Sequence, residues 1–278
     1  MYGQTYVSAL LRFLLLFPTI ILSYHCDKLY YMQMRRLKIN ISYDGTNYGG
    51  WQIQPNRISV QEKIERTLAT LTTETIRIHG SGRTDAGVHA KKQVAHFDIE
   101  KPFPNPNLKN ALNSILPEDI RINNVISVKN DFHARFDVKE KEYHYFILNS
   151  DTISPFDVKY KSQIKKTLNF TAMQKAATYL VGKHDFASFT ANAGRELETT
   201  VRNVTELKVI NSGKNITIVA KSEGFLYKMV RSIAGHLIRV GLNEIAPEAT
   251  KAILETATRT NAVKTAPAKG LFLWNVKY

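Results

Sequence analysis

The sequence predicts an α+β fold with two domains, each a mostly antiparallel mixed sheet backed by helices. Segments with strand-like alternation and segments with helical spacing mix along the chain, without the strict strand–helix–strand repetition of parallel folds. Hydrophobic residues make up 44% of the 278 residues, which is enough for a large core and too many for a disordered chain. Both halves of the chain after residue 34 carry similar strand and helix patterns, which favours two domains.

The first 34 residues form an apolar extension that lies outside this pattern. Residues 7–23 are almost wholly apolar, but a membrane span needs about 20 apolar residues and this run is slightly shorter. As a signal peptide, the segment has a weakly basic start and no clean small-residue cleavage site. Since the globular pattern begins at Arg35, we favour a dispensable extension or a true start at Met32 or Met34. A membrane anchor is the less favoured alternative.

The chain is strongly basic. It has 38 Lys and Arg against 24 Asp and Glu, a formal net charge of +14. Such an excess favours a polyanionic partner, because each neutralised phosphate releases counterions. Nucleic acid is the leading candidate and an anionic membrane surface is the second. The single cysteine, Cys26, excludes an intramolecular disulfide and a cysteine-based zinc site, which favours a reducing compartment, the cytoplasm.

The first predicted domain covers residues 35–140. Residues 36–43 alternate apolar and polar side chains, which predicts a half-buried strand. Ser59 and Glu62 form a capping-box pattern that starts a helix with apolar residues at helical spacing. Three prolines exclude regular structure from residues 101–107. The remaining predicted elements are a strand at 76–79, a Gly-rich loop at 80–90, a strand at 93–99, a helix at 108–115 and a strand at 120–128.

The second predicted domain covers residues 141–278, with the boundary placed near residues 137–142. Its first strand, residues 142–149, is apolar or aromatic on both faces, which predicts a central position in the sheet. Gly182 closes a predicted helix, and Pro247 suits the first turn of another. The remaining predicted elements are the helix at 171–181, a hairpin of strands 199–210 and 215–222, a long helix at 224–241 and a terminal strand at 271–278.

The loop Gly80–Ala90 carries the candidate chemistry. Three glycines in its first eight residues permit unusual backbone conformations or a close approach to a ligand. The loop lacks the Lys-Ser/Thr of a phosphate-binding loop, the third glycine of a dinucleotide fingerprint and the Gly-x-Ser-x-Gly pattern of a nucleophile elbow. It offers instead one carboxylate, Asp85, beside one guanidinium, Arg83.

Asp85 has two interpretations when the loop is taken alone. A positive neighbour favours a charged carboxylate, which can act as a nucleophile or as a base. Alternatively, its side chain caps backbone N–H groups of a turn. No second carboxylate lies nearby in the sequence, so a glycosidase-type pair is not indicated.

The loop resembles the signature of the tRNA pseudouridine synthase A family, Gly-Arg-Thr-Asp-Ala-Gly-Val-His, which stands here at residues 82–89. The resemblance covers about residues 35–278, nearly the whole chain after the extension. The other matching blocks, in chain order, are Tyr43-Asp44-Gly45, Gly50-Trp51-Gln52, Ser59-Val60-Gln61-Glu62, Asp131–Phe136, Lys141–Tyr145, Met229-Val230-Arg231 and Gly270–Leu273.

The resemblance implies a function and a set of site residues. Asp85 is expected to be the nucleophile, and Tyr143 the aromatic residue that packs against the target base. Arg83 is expected to assist base extrusion or the grip of the loop on RNA, and Arg231 to pair with Asp85 in a basic cleft between the domains. The family isomerises uridines 38, 39 and 40 in the anticodon arm of tRNA, uses no metal or organic cofactor, and is a homodimer that binds tRNA across both subunits.

The reaction breaks the C1′–N1 bond of uridine and rejoins the ring through C5. A carboxylate can attack C1′ of the sugar or add to C6 of the base, and the sequence leaves both open. Either attack requires the uridine to leave the base stack. Two other hypotheses rank lower: a catalytically silent RNA-binding module of the same fold, and a membrane-anchored basic protein.

Several other residues have a structural and a functional interpretation. Lys228, Arg231 and Arg239 recur at roughly helical spacing, as a solvated face or as contacts to RNA phosphates. His89 is a proton shuttle or, as we favour, a histidine that packs the loop. His144 stands where the family often has Arg, so a cation there at neutral pH is in doubt.

Overall fold

A computed structural model describes residues 34–191, 198–256, 258 and 263–278, in which ten strands form one sheet with five α-helices and two short 3₁₀ helices. This arrangement confirms the predicted α+β class. The strands are β1 (Arg35–Tyr43), β2 (His79–Gly80), β3 (His89–Ile99), β4 (Ile120–Ser127), β5 (Glu140–Asn149), β6 (Ser162–Ile164), β7 (Gly182–Asp185), β8 (Val201–Ser212), β9 (Asn215–Ser222) and β10 (Leu271–Lys277). The helices are α1 (Val60–Thr72), α2 (Asn105–Ile115), α3 (Phe170–Thr178), α4 (Met229–Gly241) and α5 (Ala249–Glu255), with 3₁₀ turns at Ala187–Phe189 and Ala268–Gly270.

The sheet is mostly antiparallel, as predicted. Its strand order is β4-β1-β3-β10-β5-β9-β8-β7, with β2 beside β3 and β6 beside β5. The β10–β3 and β5–β6 pairs are parallel, and the other described pairs are antiparallel. The last strand of the chain, β10, therefore joins the strands of the first half to those of the second. The division into domains at residues 140 and 141 stays a prediction, because the strands on both sides of this point belong to one sheet.

The predicted alternation of β1 places its apolar side chains in the core. Leu37, Ile39 and Ile41 are fully buried. In the sheet, β1 lies between β3 and β4. Burying side chains of this size stabilises a fold by roughly 1.5–3 kcal/mol each. The predicted start of α1 is also confirmed, because the Ser59 hydroxyl accepts a hydrogen bond from the Glu62 N–H at 3.2 Å.

Three element boundaries in the first half differ from the prediction. Helix α2 begins at Asn105, inside the proline-rich run from which regular structure was excluded. Pro106 lies in the first turn, where a helix does not use the N–H that proline lacks. Strand β3 begins at His89, four residues earlier than predicted, and residues 76–78 precede the short β2 instead of forming a strand.

The second half shows larger differences. Helix α4 begins at Met229 and not at residue 224, because Lys228 has a left-handed backbone with φ of 57° that no helix accepts. Helix α3 ends at Thr178, and Gly182, with φ of 109°, opens β7 instead of capping the helix. The short strands β6 and β7 were not predicted.

The predictions about residues 1–33 lie outside the described part of the chain. Among the helices that are described, none has the length and apolar character to cross a membrane.

Candidate active site

The Gly-rich loop connects β2 to β3 and is held by a buried glutamine. Gln93 accepts a hydrogen bond from the Ser81 hydroxyl at 2.6 Å and donates one to the Gly82 carbonyl at 3.0 Å. The Ser81 N–H also donates to the Val94 carbonyl at 2.7 Å. Because the loop satisfies these polar groups inside the protein, its backbone has a fixed position before any ligand binds.

A second segment, residues 48–51, locks the turn that carries Asp85. Gly50 has φ of 101°, and a Cβ there would lie 2.4 Å from the Thr84 carbonyl oxygen. The Trp51 N–H donates to that same oxygen at 3.2 Å, and the hydroxyls of Tyr43 and Thr84 are hydrogen-bonded at 2.8 Å. Only glycine allows this close approach without strain. The Gly-Gly-Trp block therefore acts on the same turn as the loop that it precedes by thirty residues.

The structure brings Asp85 together with Arg231 of α4. The Arg231 Nη1 lies 2.7 Å from the Asp85 Oδ2, and the two side chains are only 14% and 18% exposed. Arg231 Nε donates to the Ala266 carbonyl at 2.9 Å, and the Ala266 N–H donates to the Arg231 carbonyl at 2.9 Å. The guanidinium is thus held from two sides and aimed at one carboxylate oxygen. The other oxygen, Oδ1, accepts no hydrogen bond from any residue that the structure describes.

Tyr143 lies in the middle of the sheet, on β5, and is buried close to the pair. Its ring packs edge-to-face against Phe225 with centroids 5.3 Å apart. Burial raises the pKa of its hydroxyl well above the usual value, and the nearby Tyr43 and Asp85 raise that pKa further. Tyr143 is therefore a neutral aromatic side chain within electrostatic reach of the Asp85 carboxylate.

The other predicted cations have different surroundings. Arg83 is exposed on the loop, two residues before Asp85. Lys228 lies one helical turn before Arg231, with its ammonium 4.9 Å from the ring centroid of Tyr227. Arg239 is eight residues further along α4, roughly 12 Å away at 1.5 Å per residue, and pairs with Glu244 at 2.9 Å. Of the three cations at roughly helical spacing, Arg231 therefore pairs with Asp85, Lys228 lies just before α4, and Arg239 lies near the C-terminal end of α4.

His89 fills a structural position beneath the loop. It is fully buried, its Nδ1 lies 3.0 Å from the Gly45 N–H and 3.1 Å from an oxygen of Asp44, and its Nε2 lies 3.1 Å from the Lys159 carbonyl. Burial lowers its pKa. Because both ring nitrogens have partners within the protein, the geometry favours loop packing over proton transfer.

His144 is engaged on the opposite side of β5. Its ring stacks on Trp274 at 4.3 Å and its Nε2 contacts Glu142 at 2.7 Å. Across the described ranges, no cluster of three or more His, Cys, Asp or Glu side chains is arranged to hold a metal ion.

The structure has a basic groove beside the loop; a basic cleft near Asp85 was expected, but the residues that line this groove were not predicted. We define the basic groove by four cations and two aromatic rings, and it encloses about 580 Å³. Its Lys141 is half-buried against Gly82, where a Cβ would lie 3.1 Å from the lysine Nζ. Burial, and then the charge of Arg135, lower the pKa of Lys141 to about 8. Lys141 opens the matching block Lys141–Tyr145 but was not predicted as a site residue, because a lysine at the start of a strand is usually solvated. The defining residues are Arg135, Phe136, Lys141, Lys183, Arg202 and Phe225.

The chain is similar in sequence to one family profile and to several named proteins, and it aligns weakly with a solved structure. The family profile described as "tRNA pseudouridine synthase" matches residues 39–137 and 176–278. The "tRNA pseudouridine synthase A" of Brevibacillus brevis is 45% identical over 245 residues, covering 88% of this chain and 100% of that protein. The protein of the same name from Ruminiclostridium cellulolyticum is 43% identical over 246 residues, covering 88% of this chain and 100% of its own. The solved "Crystal Structure of a Cbf5-Nop10-Gar1 Complex" aligns with a TM-score of 0.30 at 13% identity over 72% of this chain and 54% of that chain.

Proposed function

This chain belongs to the tRNA pseudouridine synthase family, and we propose that Asp85 is the nucleophile with which it isomerises uridine to pseudouridine at positions 38, 39 and 40 of tRNA. The protein is an isomerase that acts on tRNA. The observation that carries the assignment of Asp85 is its ion pair with Arg231, formed between residues 146 positions apart in the sequence.

The pair prepares Asp85 for attack. An ion pair with a guanidinium requires the charged carboxylate, which is the form that acts as a nucleophile. Arg231 engages Oδ2, whereas Oδ1 accepts no hydrogen bond within the described residues and is available to a substrate. The contacts of Arg231 to Ala266 keep the pair oriented, so little reorganisation is needed when the substrate enters.

The proposed reaction begins when the target uridine leaves the base stack, because its reacting atoms are otherwise covered. Its ring then packs beside Tyr143, while Arg83 on the exposed side of the loop contacts the RNA. In attack at C1′, the bond from Asp85 Oδ1 to C1′ forms as C1′–N1 breaks and the electron pair stays on N1. The uracil turns, C5 attacks C1′ and displaces the carboxylate, C5 loses its proton and N1 gains one.

The alternative attack uses the same carboxylate. Asp85 Oδ1 adds to C6 of the uracil as the C5=C6 electrons move onto the C4 carbonyl oxygen, and the C1′–N1 bond breaks with its electron pair staying on N1. The ring turns and C5 attacks C1′. C5 then loses its proton as the carboxylate leaves C6, which restores the C5=C6 double bond, and N1 gains a proton. Both routes return Asp85 unchanged and conserve every atom of the nucleoside. Both also require the aromatic contact of Tyr143, which does not depend on the atom attacked.

Incubation with unmodified tRNA tests this function. The wild-type protein is expected to introduce pseudouridine at positions 38, 39 and 40, mapped by chemical labelling and primer extension. Asp85→Asn keeps the size of the side chain and is expected to introduce none. If the wild-type protein leaves the anticodon arm unmodified, the proposed substrate site is wrong. If Asp85→Asn retains full activity, the assignment of Asp85 is wrong.

The family resemblance also supports a homodimer that binds tRNA across both subunits, and a cytoplasmic protein. Sedimentation equilibrium of the full chain is expected to give twice the mass of 31.6 kDa. A monomer at concentrations well above the KM for tRNA would contradict the dimer. Fractionation of cells that express the full chain and a chain without residues 1–33 tests the location, with both expected in the cytosolic fraction.

A further inference from the structure

The basic groove adjoins the candidate active site. Its Lys141 and the site's Tyr143 are two residues apart on β5, so their side chains lie on the same face of the sheet. Phe225 lines the groove and packs against Tyr143, and Lys141 lies against Gly82, three residues before Asp85. A chain that leaves the neighbourhood of Asp85 in this direction therefore enters the groove.

The charges of the groove are not balanced by the residues that the structure describes. Among these residues, four cations line the groove together with one carboxylate, that of Glu223. In the part of the chain that the structure describes, neither the Lys141 ammonium nor the Arg135 guanidinium forms an ion pair. A half-buried cation without a counter-charge costs free energy, which a bound anion recovers. The lowered pKa of Lys141, to about 8, reflects this unbalanced position.

An exposed aromatic ring stands at the edge of the groove. Phe136 is 74% exposed, so most of its ring faces solvent. One side of its ring stacks on His133 with centroids 4.1 Å apart, and the Arg135 guanidinium lies 5.8 Å from its centroid. The ring thus presents a flat apolar surface beside a cation, the combination on which unpaired bases stack.

The segment that carries Arg135 and Phe136 is preformed. The His133 Nδ1 accepts hydrogen bonds from the Arg135 N–H at 3.1 Å and the Phe136 N–H at 3.3 Å. Its neighbour Ala134 donates its N–H to the His96 Nδ1 at 3.1 Å and accepts from the Tyr278 hydroxyl at 2.6 Å. Because these bonds hold the segment before any ligand is present, binding there needs little ordering of the protein.

We propose that the basic groove binds the unpaired RNA strand next to the target uridine, with one backbone phosphate on Lys141 and Arg135 and one base stacked on Phe136. This inference rests on the proposed function, because it takes the RNA to enter at Asp85. A phosphodiester supplies the permanent negative charge that the two cations lack, and its neighbouring base supplies the ring. A single-stranded segment offers both within one nucleotide.

Binding of an anticodon-arm RNA hairpin tests the groove without requiring turnover. All proteins carry Asp85→Asn, so that chemistry does not contribute to the measured Kd. Lys141→Met is expected to raise Kd about tenfold, the loss expected for one charge-assisted contact. It is also expected to lower the slope of log Kd against log salt by about 0.7, the contribution of one phosphate in a single strand.

A matched control removes a lysine charge at the far end of β8 and β9, away from the groove. Lys214 lies in the exposed β8–β9 turn, roughly 26 Å from the groove end of β9 at 3.3 Å per residue. Lys214→Met is expected to leave Kd and the salt slope near the reference values. If Lys141→Met behaves like Lys214→Met, the groove does not bind a phosphate and the proposal is wrong.

Modified RNA locates the contacts. A neutral methylphosphonate placed at each linkage around the target is expected to weaken binding most at one linkage, and to have no further effect there in Lys141→Met. Removing the base of the adjacent nucleotide is expected to weaken the reference protein about tenfold and Phe136→Ala not at all, since stacking contributes about 1–3 kcal/mol per base. Independent, additive effects of protein and RNA changes would overturn the proposal. If the groove binds RNA in this way but the wild-type protein forms no pseudouridine, the proposed function is wrong and the binding proposal stands.

Discussion

Replacing Arg231 by methionine is the perturbation whose outcome follows most directly from the geometry. The change keeps the aliphatic part of the side chain but removes two hydrogen bonds, to Asp85 and to the Ala266 carbonyl. It leaves the Asp85 carboxylate without its cation.

The magnitude follows from the burial of the pair. Breaking a fully buried ion pair costs about 3–5 kcal/mol, because the remaining charge stays unpaired in a poorly polarisable medium. The two side chains are 14% and 18% exposed, so water reaches them in part and screens the remaining charge. We therefore expect Arg231→Met to lower the free energy of unfolding by about 2 kcal/mol.

Urea unfolding of four proteins measures this interaction: the wild type, Arg231→Met, Asp85→Asn and the double variant. Because the two side chains contact each other, the losses are expected not to add, with a coupling of about 1–2 kcal/mol. Arg239→Met is the matched control on the same helix. The Arg239–Glu244 pair is more exposed and is expected to contribute about 1 kcal/mol or less.

A coupling free energy near zero between Arg231→Met and Asp85→Asn would contradict a stabilising ion pair. It would mean that the two side chains do not stabilise each other in solution. A loss in Arg231→Met no larger than that in Arg239→Met would refute the estimate from burial.

Three further predictions concern the loop, the aromatic contact and acid stability. Gly50→Ala is expected to lower the free energy of unfolding by more than about 2 kcal/mol and to abolish pseudouridine formation, because its Cβ would lie 2.4 Å from the Thr84 oxygen. Urea unfolding measures the first effect and tRNA modification the second. Tyr143→Phe keeps the ring and its contact with Phe225, so the KM for tRNA is expected to stay near that of the wild type, whereas Tyr143→Leu is expected to raise it about tenfold; equal KM values for the two would contradict the packing role. His236 is fully buried, and burial lowers its pKa to about 4, so the unfolded chain takes up a proton near pH 6.5 while the folded chain does not. The contribution of neutral His236 to stability is present above pH 6.5 and is lost as the pH falls towards 4, by about 2–3 kcal/mol at pH 4.5. In urea unfolding, the difference in the free energy of unfolding between the wild type and His236→Gln is expected to disappear along this range.

Local chemistry made several elements predictable from the sequence. The alternation of β1 and the capping serine of α1 each act within a few residues, and both have their predicted form. The start of α4 was wrong because a single left-handed residue, Lys228, interrupts an otherwise helical pattern. The strands β6 and β7 have three and four residues, and their existence depends on pairing with β5 and β8 and not on any pattern of their own.

The candidate site divides in the same way. The loop with Asp85 could be recognised from its motif, and the resemblance implied Arg231 as its partner, which is the contact that the structure shows. A basic cleft was expected, but Lys141 could not be recognised as part of it, because its side chain meets Gly82 from 59 positions further along the chain. Ala266 was missed as well, since its role is to position Arg231 through backbone groups that every residue type possesses.

The assignment of Asp85 as the nucleophile is tested by measuring single-turnover formation of pseudouridine by Asp85→Asn, together with the tRNA affinity of the same protein. Asparagine matches aspartate in shape but lacks the charge and nucleophilicity of the carboxylate. The variant is expected to bind tRNA within about threefold of the wild-type Kd, a change of less than 1 kcal/mol, and to form no pseudouridine at any enzyme concentration. Pseudouridine formed by the variant at the wild-type rate would contradict the claim that Asp85 is the nucleophile.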